Sequence, residues 1–146
     1  MEGQKIIQAV TILFKAADNR DWPTMHSVMA EKVLLDYTSM SGGEVRLQTP
    51  VEITDGWACF LPGFDKTDHQ VSAFRVKLHG NQADVDYAGK ADHFIDDEVW
   101  TVEGTYHTKL KKEGDAWLVT HHTFNCDRQS GNIYLPKRAK EKLGTL

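Results

Sequence analysis

Two histidines and two tyrosines stand out because alternation places them on the apolar side of their strands, and an aspartate because it stands at the edge of a helix's apolar face. Alternate residues of a strand point to opposite faces. Over 82–95 the apolar set is Ala83, Val85, Tyr87, Ala91 and Ile95, and His93 shares its parity. Asp84, Asp86, Lys90 and Asp92 make the opposite, polar face. Over 99–112, Trp100, Val102, Tyr106 and Leu110 point one way, and Glu103, His107 and Lys109 the other. Over 33–38, Val33, Leu35 and Tyr37 alternate against Leu34 and Asp36. Over 68–79 the parity switches between His69, Val71, Ala73 and Phe74, Val76, Leu78. A β-bulge near Ala73 would reconcile the two sets and leave His69 inward. Asp18, four residues after Phe14, projects from the edge of a helix's apolar face.

These residue types suit proton transfer. A pocket histidine can take a proton from the carbon α to a carbonyl and return it to a leaving hydroxyl, a contribution of ~10²–10⁴-fold. A carboxylate fixes the tautomer of an imidazole and favours its protonated form. Tyrosine hydroxyls beside a carbonyl stabilise the enolate that develops. Plain structural roles stand beside these: a hydrogen-bonded core histidine, tyrosine rings as core filler, an aspartate capping a helix. Leaving a buried polar group unpartnered costs roughly 2–7 kcal/mol. Several such groups on inner parities therefore require mutual pairing or a wet pocket.

Other chemistry finds less support. There are seven histidines, but His121 and His122 are adjacent on a strand and face opposite ways, and no HxH or HExxH spacing occurs. No metal is expected. GxGxxG and P-loop patterns are absent, so no cofactor is expected either.

The elements that must position these residues follow from periodicity and turn chemistry. Ile6, Val10, Leu13, Phe14 and Ala17 have helical spacing, which predicts a helix over 4–18. Asp21 caps a second short helix opened by Trp22-Pro23, with Met25, Val28 and Met29 inward. A strand over 33–38 precedes a turn at Ser41-Gly42-Gly43. Thr49-Pro50-Val51-Glu52 spells a capping box for a helix that turns Ile53, Trp57 and Phe60 inward and ends before Pro62-Gly63. Strands over 68–79, 82–95, 99–112 and 116–127 are separated by Gly80-Asn81, Asp96-Asp97 and Glu113-Gly114-Asp115. Leu135 to Leu143 reads as a last short helix or a tail over a partner. Helices followed by a four-stranded antiparallel meander make the class α+β, and a curved sheet over helices leaves a conical cavity.

Length and composition agree. The 146 residues fit one domain over 1–146, with a core at 4–128 and a tail at 129–146. A composition 40% hydrophobic and 26% charged is ordinary for a globular chain. The net charge of −4 offers no basic footprint for nucleic acid. No signal peptide is legible, and no apolar run approaches the roughly 18 residues that span a bilayer. Cys59 and Cys126 read as reduced thiols, and the expected location is the cytoplasm. Apolar residues of both parities at Trp117, Leu118, Val119 and Phe124 suggest that a second subunit covers one sheet face.

Three segments resemble a known family: Ala17-Asp18-Asn19-Arg20-Asp21-Trp22, Leu35-Asp36-Tyr37-Thr38-Ser39, and Asp68-His69 followed by the strand bearing His93. Together they resemble the SnoaL-like branch of the nuclear-transport-factor-2-like superfamily, nearest to scytalone dehydratase and the bile-acid dehydratases. The resemblance implies a cone-shaped (cystatin-like) α+β barrel: a curved antiparallel sheet wrapped around N-terminal helices. It also implies a homodimer or homotrimer and a cavity for small hydrophobic or cyclic molecules. The function implied is that of a cofactor-free dehydratase or isomerase for a small cyclic hydroxy-carbonyl compound. The alternative is a binding domain without catalysis.

Matching positions make Asp18 the partner of an acid–base histidine at His93, with His69 as the second histidine and Tyr37 as the group that polarises substrate. Tyr106, Trp57, Phe60 and Trp22 are the expected substrate contacts. Two departures bear on chemistry: Ala17 stands where the scytalone enzyme has a tyrosine, and Tyr106 where it has a polar amide. Steroid isomerases of this fold carry their carboxylate base at the position occupied here by Tyr37, not Asp36.

Overall fold

The computed structural model describes residues 2–144; Met1 and the last two residues of the expected domain lie outside them. The first helix, α1 (Glu2–Asn19), buries Ile6, Ala9, Val10, Leu13, Phe14, Ala16 and Ala17 along one face. It stops where Arg20 turns left-handed at φ 56°, a conformation that costs a side-chain-bearing residue about 1–2 kcal/mol. Asp21 then caps α2 (Trp22–His26), with its carboxylate accepting from the Thr24 amide. Val28 and Met29 are buried as expected, but Met29 already opens strand β1 (Met29–Asp36). β1 thus starts four residues earlier than the alternation suggested and stops before Tyr37, which caps the single turn α3 (Thr38–Ser41).

A short β2 (Arg46–Gln48) leads into α4 (Pro50–Ala58), whose capping box is complete: Thr49 accepts from the Glu52 amide, and Glu52 accepts from the Thr49 amide. A 3₁₀ turn at Leu61–Gly63 follows. Four long strands come next: β3 (Lys66–His79), β4 (Gln82–Ile95), β5 (Glu98–Glu113) and β6 (Ala116–Gly131). The chain closes with α5 (Leu135–Leu143).

The strands form one curved, six-stranded sheet in the order β2-β1-β6-β5-β4-β3. The four-stranded meander is therefore incomplete as a description. β1 adds to it in parallel with β6, and β2 pairs antiparallel with β1 at the edge. The expected bulge lies at Ala73, with φ 58° and a register shift between Ser72 and Arg75.

A second bulge was not anticipated. Val119 pairs with Leu110 while His121 pairs with Lys109, so Thr120 is the extra residue. The bulge reverses the parity of β6 and lets Trp117, Val119, His122 and Phe124 all point into one core. Mixed parity around Trp117 and Phe124 thus comes from a bulge, and it does not call for a second covered face.

The helices lie against the concave side. The tail is no loose appendage: Leu135 and Ala139 of α5 are fully buried, and α5 packs on the 3₁₀ turn. Gly63 permits that approach, since a Cβ there would fall 2.2 Å from the Ala139 carbonyl oxygen. No helix among the described residues is long and apolar enough to cross a membrane. Cys59 and Cys126 form no disulfide.

Candidate functional site

Asp18 sits in the last turn of α1, where it overhangs the start of β3. Its Oδ1 accepts from His69 Nδ1 at 2.5 Å, and its Oδ2 accepts from the His69 backbone amide at 2.8 Å. The Thr67 hydroxyl donates to Oδ1 at 3.0 Å. Burial resists ionisation of Asp18, but these donors and the charge of His69 outweigh it and hold the carboxyl below its usual range. With Nδ1 engaged by an acceptor, Nε2 is the His69 ring nitrogen left for the cavity that the ring lines.

Arg20 locks this arrangement. Its Nη1 donates to the Thr67 hydroxyl at 2.7 Å and to the carbonyls of Ala17 and Asp18, and its Nη2 donates to the Leu61 carbonyl at 2.8 Å. One guanidinium therefore ties the end of α1 to the 3₁₀ turn and to β3. Neither Arg20 nor Thr67 was picked out from the sequence. An arginine that bonds across 47 residues leaves no local signal.

The pairing of Asp18 with His93 is not found. β3 pairs with β4 so that Thr67 faces His93 and His69 faces Ala91, which puts His93 one strand farther from α1. Asp18 reaches the nearer histidine. His93 instead bonds through Nδ1 to the Trp100 carbonyl at 3.1 Å and lies 4.3 Å, ring to ring, from the Trp100 indole. A carbonyl only accepts, so Nδ1 carries the proton and Nε2 the lone pair. Burial, reinforced by the nearby charge of His69, lowers the His93 pKa to about 4. The His69 and His93 rings are 6.0 Å apart, and both line the cavity.

A third histidine on the cavity, His122, was missed. Its Nε2 meets the Tyr37 hydroxyl at 3.2 Å, and its Nδ1 meets the Thr108 hydroxyl at 2.9 Å. Thr108 in turn meets the Tyr87 hydroxyl at 2.7 Å. Burial is the main reason that the His122 pKa falls to about 3 and that Tyr37 is pushed well above the normal phenol range. The usable signal was parity with Phe124, two residues on. His107, by contrast, lies on the outer face with Asp84 and Asp86, as expected.

The cavity measures about 490 Å³. Its wall includes Tyr37, His69, His93, Tyr106 and His122 among mostly apolar neighbours, with Trp57 and Phe60 from the α4 side and Pro136 and Lys140 from α5. The Phe14 ring is near both His69, at 5.6 Å, and Tyr106, at 4.9 Å, ring to ring. The Tyr106 ring lies over Gly89, where a Cβ would fall 2.2 Å from its Cε2 atom. Trp22 does not line the cavity. It opens α2, which packs on α1, α4 and β1. Asp36 is also outside the lining, with its carboxylate held by the Thr38 amide and hydroxyl. Among the described residues no His, Cys, Asp or Glu cluster has the geometry to hold a metal ion.

Comparison with known proteins adds a family to this geometry. A crystal structure of the Kfla4162 protein from Kribbella flavida superposes with a TM-score of 0.87 at 17% identity, covering 92% of this chain and 95% of that one. A candidate scytalone dehydratase from Novosphingobium aromaticivorans gives a TM-score of 0.76 at 14% identity, covering 90% and 87%. The hexachlorocyclohexane dehydrochlorinase LinA-type3 from Novosphingobium barchaimii gives 0.71 at 8% identity, covering 90% and 91%. Among curated proteins no match is found. The SnoaL-like domain family matches residues 3–123. By that match the chain belongs to the SnoaL-like domain family of the nuclear-transport-factor-2-like superfamily.

Proposed function

We propose that this protein is a cofactor-free acid–base enzyme, a dehydratase or isomerase, acting on a small cyclic hydroxy-carbonyl compound. The observation that carries the reading is the Asp18–His69 pair, joined at 2.5 Å beside a cavity of about 490 Å³. Asp18 fixes His69 as the Nδ1–H tautomer and stabilises the imidazolium formed when Nε2 takes a proton.

In the dehydratase form, His69 Nε2 removes the proton α to the carbonyl. The C–H electron pair becomes the enolate, whose oxygen is held by the Tyr37 and Tyr106 hydroxyls. The enolate then re-forms the carbonyl and expels the β-hydroxyl, which leaves as water with the proton from His69. His93, neutral and with its lone pair at Nε2, accepts a hydrogen bond from the substrate hydroxyl. In the isomerase form the proton returns to another carbon. Similarity to a dehydrochlorinase and to a candidate dehydratase supports elimination chemistry as a class.

The test is turnover of a panel of cyclic β-hydroxy ketones, followed by absorbance of the enone. Wild type should convert at least one member, and His69→Ala should abolish that conversion. Conversion that survives His69→Ala sinks the proposal.

A second reading, a binding domain without catalysis, is favoured by the aromatic and aliphatic lining from Phe14, Trp57, Phe60, Trp100 and Phe124. It predicts ligand affinity that is indifferent to both Asp18→Asn and His69→Ala.

A further inference from the structure

The polar groups on the Tyr37 side of the cavity are joined in series, and the protons along that series can be assigned. Tyr87, 3% exposed, has Thr108 as its one hydrogen-bond partner among the described residues. A buried phenol that accepted there would leave its own proton unused, so Tyr87 donates to Thr108. Thr108, fully buried, has a single hydroxyl proton, and its other partner is His122 Nδ1. Its proton therefore goes to His122. With Nδ1 accepting, the neutral ring must carry its proton on Nε2, which donates to the Tyr37 oxygen. Tyr37 is left with a proton that points away from His122. Tyr37 lines the cavity beside Tyr106, so that proton is available to a bound molecule.

We propose that Tyr87, Thr108 and His122 form a one-way hydrogen-bond relay that makes Tyr37 an obligate donor into the cavity. This end of the cavity would then take ligands through an accepting oxygen of a carbonyl, enolate or phenolate. Tyr87, Thr108 and His122 are positioning residues in this scheme, because they act through Tyr37. The inference deepens the proposed function and rests on it for the location of the carbonyl. It divides the site by role: a donor at Tyr37, acceptors at His69 Nε2 and His93 Nε2. A hydroxy-carbonyl ligand fits that division one way round, with its C=O at Tyr37.

Two measurements test it, and neither needs turnover. Long-range ¹H–¹⁵N correlation on the ¹⁵N-labelled protein at pH 7 reads the His122 tautomer. The Nε2–H form is expected; an Nδ1–H form or an imidazolium overturns the relay. Binding of substituted 2-naphthols, followed by the absorbance of the naphtholate, reads the donor end. Thr108→Val keeps the shape of the side chain and removes the link. It should weaken naphtholate affinity by about threefold to tenfold, the worth of one hydrogen bond.

Thr108→Ser should restore affinity, which separates loss of the hydroxyl from loss of fold. Naphtholate affinity unchanged by Thr108→Val, or no naphtholate binding by wild type, also overturns the proposal. The elimination reading fails on a different variant, His69→Ala, so the two can fall separately.

Discussion

Asp18 grips His69 at two points, the ring through Nδ1 at 2.5 Å and the chain through its backbone amide at 2.8 Å. A carboxylate bound to both the ring and the backbone of one residue restrains the ring's position as well as its tautomer. Side-chain restraint of this kind keeps a base within the narrow range of geometry that proton transfer tolerates.

Asp18→Asn therefore separates charge from shape. The amide can still hold the backbone N–H, but it no longer stabilises an imidazolium. Turnover of a converted hydroxy ketone should fall about 10²–10⁴-fold, with binding of a neutral cyclic ketone little changed. Steady-state kinetics and calorimetry on one preparation check both. The variant should also flatten the acid limb of stability. The folded carboxyl titrates below its unfolded value, so its contribution is present above the unfolded pKa and is lost as pH falls through the folded one.

His93 and His122 make a second, separate pH dependence. Their pKa values of about 4 and about 3 lie below the ordinary 6.5, so the unfolded chain binds protons that the folded chain refuses. Stability is complete above pH 6.5 and declines as pH falls toward the folded values, by about 1.4 kcal/mol per pH unit for each group. Denaturant midpoints between pH 7 and 5 should drop accordingly. His93→Gln should remove close to half of that slope; a slope that does not change would contradict the assignment.

Arg20 trades backbone strain for four hydrogen bonds. Arg20→Gly relieves the left-handed conformation and forfeits the clamp. The net expectation is a loss of about 1–3 kcal/mol, because the partners left behind are partly buried. Thermal unfolding measures it. Arg20→Gly should also lower turnover by loosening Thr67 and with it Asp18.

Ala73 carries strain with no such return. It is exposed, with φ 58°, at the β3 bulge. Ala73→Gly should raise stability by about 0.5–1 kcal/mol, the left-handed penalty less the entropic cost of glycine. A lowered melting temperature would show that the bulge needs the methyl group.

Local signals in the sequence were faithful where the cause is local. The Thr49–Glu52 box, the Asp21 cap and the Ala73 bulge are each written within a few neighbouring residues, and each is present in the structure. Inward parity placed Tyr37, His69, His93 and Tyr106 on one cavity, but it could not say which histidine meets Asp18. That depends on how far the end of α1 reaches across a sheet, a relation over 51 residues. Thr67, Arg20 and the parallel pairing of β1 with β6 are long-range in the same way. His122 was obscured by the Thr120 bulge, which breaks the alternation just before it. Trp22 misled because a large aromatic close to Asp18 in sequence serves equally well as a packing residue on α2.

The contact between Gly89 and Tyr106 gives the cavity a floor that the sheet sets. Because Gly89 has no side chain, the Tyr106 ring lies flat against the backbone instead of standing up into the space beneath Phe14. One methyl group on residue 89 would tilt the ring upward and make the chamber shallower, with none of the polar lining groups replaced. Relatives could thus differ in the thickness of the molecule they admit through a single position on β4. The polar lining would stay the same while the shape of the molecule admitted changed.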